Sequence, residues 1–208
     1  MHEFLKQFLP FGLYLVANNE RHTLLPIYRE VVYRELERNM GEYQLVASQM
    51  EFITAGRAYQ IWTKEQPLDV VGTRLMKTMQ QALAQPLNQN YLSNEVTQAF
   101  QWRDAEYNDG QGSLNDQSFF ALSAIIHAMR TMTGRRIFYN LASNLLTDDS
   151  NIDVIDLDVA GLVANCVAGP LYDMTSSDQL RKEFWTWWLT TVLPLSWGTA
   201  FPHPVVNS

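Results

Sequence analysis

The chain has 208 residues, enough for one well-cored domain, and its 47% apolar, 12% aromatic and 18% charged composition excludes a disordered body. A formal net charge of −7 argues against nucleic acid or an anionic membrane as partner, and no run reaches the ~18 uninterrupted apolar residues of a membrane span.

At the N-terminus Lys6 precedes an apolar stretch over residues 8–17, but Glu3, Pro10, Gly12 and the pair Asn18-Asn19 break the pattern of a secretion signal. A cytoplasmic location is expected. The single Cys166 lies in an apolar run over 159–167, where a lone thiol reads as a small buried hydrophobe in a reducing compartment. From there the periodicity is helical almost throughout. Over 24–40, Leu24, Ile27, Tyr28, Val31, Val32 and Leu36 recur at three- and four-residue steps, Pro26 suits the first turn, and Arg29, Glu30 and Arg34 fall largely on the other side. A second helix is expected over 43–62, carrying Leu45, Met50, Ile53 and Ile61, and a third over 68–85, with Val71, Leu75, Met79, Ala82 and Leu83 as its stripe. After a connector at 86–91, a helix from Ser93 reaches about Tyr107. The stretch 108–115, with Asn108-Asp109-Gly110 and Gly112-Ser113, is the clearest turn signal in the chain. Asn115 or Asp116 can cap a helix over 117–132; Gly134 breaks it before Arg135-Arg136 and a shorter run over 137–146.

Between Arg136 and Arg181 the chain has no Lys or Arg, yet it carries Asp148, Asp149, Asp153, Asp156, Asp158, Asp173 and Asp178. Outside this window acids and bases balance, so the whole net charge is segregated into one stretch and can build a directional field. Helical spacing through Ile155, Val159, Leu162, Val163 and Cys166 predicts a helix starting near Asp153, where its dipole favours the aspartates, and ending at Gly169-Pro170. The last helix opens on a capping box, Ser176 with Gln179, and stops at Pro194. Its arc of Leu180, Phe184, Trp187, Trp188 and Thr191, widened by Trp185, Leu189 and Val192, reads as mostly buried, with Trp185 toward an edge that an interface could use. The expected fold is all-α: one compact domain of roughly eight helices over residues 1–208.

The chemistry of common active sites is missing. His2, His22, His127 and His203 form no zinc-binding pattern, no Glu-x-x-His pair supports a di-iron site, and the phosphate-loop, dinucleotide and Gly-x-Ser-x-Gly patterns are absent. From Asp149 the chain offers Asn151 and Asp153 to a calcium ion but places Val154 where the loop needs glycine. No metal, no cofactor and no catalytic residue are expected. His127, on a strongly apolar helix, reads as a buried, hydrogen-bonded histidine.

The string Leu180-Arg181-Lys182-Glu183-Phe184-Trp185-Thr186-Trp187-Trp188-Leu189, followed by Leu193-Pro194 and Trp197, resembles the closing segment of helical immunity proteins from bacterial polymorphic-toxin and contact-dependent inhibition systems. The likeness covers the last quarter of the chain. It implies a cognate inhibitor that binds its toxin, blocks the toxin's active surface and needs no catalytic residues or homo-oligomer. Many such toxins are nucleases, whose substrate surfaces must be basic to hold phosphates. The residues expected to face the partner are therefore Asp148, Asp149, Asp153, Asp156 and Asp158. Two other classes compete. A ligand-binding domain or enzyme would gather an internal pocket around His127, Arg130 or Tyr139, and a structural subunit would self-assemble through its helices.

Overall fold

Helical spacing becomes helix along the computed structural model, which describes residues 2–39, 43–107, 112–134 and 148–200. The elements are α1 (Glu3–Asn18), α2 (Pro26–Asn39), α3 (Tyr43–Glu65), α4 (Val71–Ala84), α5 (Gln89–Tyr107), α6 (Asp116–Met132), α7 (Val159–Ala168), α8 (Asp178–Trp187) and α9 (Leu193–Ala200). A π-helical turn, Trp188–Val192, joins α8 to α9 without a break, so the described residues form eight helical rods and contain no strand. The expected all-α architecture holds. None of the described helices is long and apolar enough to cross a membrane. The turn at 108–111, Arg135, Arg136, the run over 137–146 with Tyr139, and the tail beyond residue 200 lie outside the described residues.

The core forms around α3 and α6, which pack along each other while α7 lies against both. Every residue of α6 from Phe120 to Met129 is buried, and so is α7 from Val159 to Cys166. Helices apolar on all sides belong inside, which is why these two show no clear outward face. Asn115 caps α6 by accepting the Ser118 N–H at 2.8 Å, while Gly134 (φ 76°) and Gly169 (φ 84°) take the left-handed backbone that ends α6 and α7. Trp185 and Trp188 are fully buried and Trp197 nearly so.

The stretch 3–18, read from sequence only as lacking a secretion signal, folds as α1 with Pro10 inside it, and Gly12 lets it approach the π-turn, since a Cβ there would lie 2.9 Å from Leu189 Cδ2. Three local expectations change. The helix expected from Asp153 begins at Val159. Each aspartate offers its carboxylate to a nearby backbone N–H and so starts its own short turn: Asp148 to Ser150 at 3.0 Å, Asp153 to Ile155 at 3.1 Å, Asp158 to Gly161 at 2.8 Å. Two 3₁₀ turns, Asp149–Asn151 and Val154–Asp156, thus precede α7. At α8 the cap is Ser177, accepting from Leu180 N at 3.2 Å, because the Ser176 hydroxyl is taken by Arg21 Nη2. Pro194 does not end the last rod. The π-turn places it in the first turn of α9, where a helix needs no N–H from it.

Candidate partner-binding site

Of the five aspartates expected to face a partner, Asp153 and Asp156 are exposed and Asp148 is half-buried. Asp149 and Asp158 are each 3% exposed and turn inward. What they meet is Arg29 of α2, itself fully buried although its charge places it on the outer side by composition. Its Nη2 donates to Asp149 Oδ1 at 2.6 Å and its Nη1 to Asp149 Oδ2 at 3.2 Å, while Nε donates to Asp158 Oδ2 at 2.9 Å. Nη1 also donates to the Leu24 carbonyl at 2.5 Å, and the guanidinium lies 5.1 Å from the ring centre of Trp185.

This arrangement satisfies a fork-shaped cation on two carboxylates at once, the geometry in which arginine binds strongly. Asp158 divides its two oxygens between Arg29 and the first turn of α7, so one residue both starts a helix and holds a buried cation. Gly161 makes room: a Cβ there would stand 2.9 Å from Arg29 Nη2 and 2.9 Å from Asp158 Oδ1. Burial drives the Asp149 carboxyl above its ordinary range, against the pull of the Arg29 guanidinium beside it. A second buried arginine, Arg181, donates to Asn165 Oδ1 at 3.2 Å and to the Gly169 carbonyl; burial lowers it to about 10, with Asp149 opposing. The segment 148–158 is thereby strapped to Arg29 of α2 and to the first turn of α7. Trp185, placed by spacing near an interface edge, lies beneath that strap in the core.

The sequence carried one signal for this. Arg29 stands three, four and seven residues before Val32, Tyr33 and Leu36, all buried, so helical spacing puts it on the core face of α2. Glu30, also expected outward, is buried too and receives Arg34 Nε at 3.2 Å.

Of the residues named for an internal pocket, Tyr139 lies outside the described residues and His127 is packed in the core. His127 is buried, its Nδ1 lies 3.0 Å from the Leu157 carbonyl, the ring of Phe100 stacks edge-on at 5.6 Å, and burial lowers its pKa to about 3. It is a neutral core imidazole. Two surface grooves, of 390 and 270 Å³, are lined by α8 with its π-turn and by the α3–α4–α5 edge respectively, and neither includes His127 or Arg130. Among the described residues no three His, Cys, Asp or Glu side chains stand close enough to hold a metal.

The opposite end of the α6–α7 pair presents a surface that spacing did not single out. Leu68 and Val70, after α3, and Tyr172 and Met174, after α7, stand exposed in solvent. Leu68 is expected inside a helix over 68–85, but the observed α4 begins at Val71.

Comparison with known families gives a match to a model described as Immunity protein Imm5 over residues 15–195. That match covers nearly the whole chain, well beyond the last quarter that carries the resemblance of the aromatic helix. No curated protein matches it.

Proposed function

The chain belongs to the Imm5 immunity protein family, and we propose that it binds a cognate toxin with a basic contact face and neutralises it in the cytoplasm by covering the active surface. The observation that supports the basic character of the partner is the segregated charge: no Lys or Arg stands over residues 137–180, and Asp148, Asp153 and Asp156 reach the surface there while Asp149 and Asp158 are spent on Arg29. Complementary charge speeds encounter and rejects partners of like sign, while a few buried groups supply most of the affinity. A nuclease fits this description because it must hold a polyanion on the face to be covered. Inhibition of this kind proceeds by occupation alone and asks no chemistry of the chain.

Within this proposal the five aspartates divide by role. Asp148, Asp153 and Asp156 contribute charge toward the partner. Asp149 and Asp158 fix the segment that carries them, through Arg29. The test replaces the first three by Asn, which removes the charge and keeps the side-chain oxygen that Asp148 and Asp153 use as caps. Association with the cognate toxin domain should slow by roughly threefold to tenfold at low salt, and the difference should shrink as ionic strength rises. Unchanged association at every salt concentration would remove these residues from the interface.

A further inference from the structure

The two connections that leave α3 and α7 emerge side by side at one end of the bundle. Asn115 Nδ2 donates to Glu65 Oε2 at 3.4 Å, Gln117 Nε2 donates to the Cys166 carbonyl at 3.1 Å, and Gln66 Nε2 donates to the Ser113 carbonyl at 3.2 Å. The end of α5 joins them, since Tyr107 donates its hydroxyl to Asp116 Oδ1 at 2.9 Å and Ser113 donates to Glu106 Oε2 at 2.6 Å. Tyr172 comes close enough to Asp116 to feel its charge.

From this platform Leu68 and Met174 project almost wholly into water, 96% and 99% exposed, with Val70 and Tyr172 at 70% and 67%. The turns that hold them do not need them. Asp69 shapes the first by accepting Val71 N at 2.7 Å, and Asp173 shapes the second by accepting Thr175 N at 2.8 Å. Polar residues would serve those positions equally well for folding, and clustered exposed apolar side chains mark interaction sites.

The two turns carry Asp69 and Asp173, and Glu65, Glu106 and Asp116 belong to the hydrogen-bonded platform that they leave from. The bases nearest to them are engaged: Lys64 lies 3.9 Å from Glu65, Arg74 is 3.0 Å from Glu95, Arg21 is 2.9 Å from Asp178, and Arg103 is buried against Asp104. Carboxylates therefore accompany the four apolar side chains at this end. An apolar centre with a charged rim is the anatomy of a protein interface, and the sign of this rim selects its partner.

Resting on the proposal that the chain neutralises a toxin, we infer that this end is the anchoring face: Leu68, Val70, Tyr172 and Met174 enter an apolar recess on the toxin, and the surrounding carboxylates meet its basic rim. The segment 148–158 meets α6 at His127, whose Nδ1 lies 3.0 Å from the Leu157 carbonyl, ten residues or about 15 Å along the helix from Gln117, so the two regions can be substituted separately.

The test uses the full chain and its cognate toxin domain, the latter carrying an active-site substitution so that it can be purified. A Leu68→Ser, Met174→Ser double variant removes apolar contact without adding charge. It should weaken binding at least tenfold, mainly through faster dissociation, and abolish protection of cells, with unfolding unchanged because both residues are solvent-exposed. Asp69→Asn with Asp173→Asn retains both turns and should instead slow association at low salt. Binding by the double Ser variant within twofold of wild type would overturn the inference and leave the toxin-neutralising proposal standing. Absence of binding by the wild-type chain would overturn both. Loss of a self-associated form in the Ser variant, with toxin binding intact, would reassign the face to contacts between copies of this chain.

Discussion

Replacing Asp158 by Ala should cost far more than replacing Asp153 by Ala, although both are aspartates that cap a turn in the same acidic stretch. Asp158 is 3% exposed and loses two things at once: the 2.8 Å cap on Gly161 N and the 2.9 Å ion pair with Arg29 Nε. A helix cap is worth about 1 kcal/mol, and breaking one partner of a buried pair costs about 3–5 kcal/mol because the other charge stays buried. The two losses share one carboxylate, and Asp149 still holds Arg29 at 2.6 Å, so about 3–4 kcal/mol is the expected total. Asp153 is exposed and caps only a 3₁₀ turn, for which about 1 kcal/mol is an upper figure. Urea unfolding followed by tryptophan fluorescence separates these outcomes: the Asp158 variant should lose roughly 1–2 M in midpoint with an unchanged slope, the Asp153 variant well under 0.5 M. An Asp158→Ala chain within about 1 kcal/mol of wild type would refute the buried network as a structural element. The distinction bears on function, since an Asp158 variant that fails to protect cells shows lost folding before it shows a lost contact.

Three further outcomes follow from the same geometry. His127 is lowered to about 3 from 6.5, so between those values the unfolded chain binds the proton that the folded chain refuses; stability attributable to it is complete above pH 6.5 and falls by about 1.4 kcal/mol per pH unit as pH drops through that window. Urea midpoints of wild type and His127→Phe between pH 7 and 5 check this, with the variant showing the shallower dependence. Gly72→Ala should destabilise by about 1–3 kcal/mol because its Cβ would sit 2.5 Å from Trp62 Nε1, whereas Gly56→Ala, with nothing within 4 Å inside α3, should stabilise by about 0.5–1 kcal/mol; thermal unfolding reads both signs. Cys166, buried and pushed up to about 12, should resist a thiol reagent in the native chain and react fully only in denaturant.

What the sequence disclosed follows the range of the forces involved. The stripe Val71, Leu75 and Met79, the Asn115 cap and the breaks at Gly134 and Gly169 are local facts, written within a turn or two of where they act, and they appear where spacing put them. The Arg29 network joins residues 120 and 129 positions apart, so nothing near Asp149 or Asp158 announces that their charge is spent inside the protein. Arg29 and Glu30 read as lying on the side of α2 away from its apolar stripe; for Arg29 the spacing to Val32, Tyr33 and Leu36 is the better guide, whereas of these three Glu30 stands one turn from Tyr33 alone. The same holds for Arg181, which stands three and four residues before the buried Phe184 and Trp185. Leu68 was hidden for the opposite reason. An apolar residue beside a helical stripe looks like part of it, and only the start of α4 at Val71 shows that it lies outside. Pro10 and Gly12 serve in the sequence only to argue against a secretion signal, whereas in α1 the first is accommodated and the second allows the approach to Leu189.

The most direct test of the proposed function is to titrate the active cognate toxin domain with the purified chain, following toxin activity at low and high salt. Stoichiometric loss of activity, with complex formation that is faster at low ionic strength, is the expected result. Full toxin activity in the presence of excess chain, or binding whose rate ignores salt altogether, would contradict neutralisation through an acidic face.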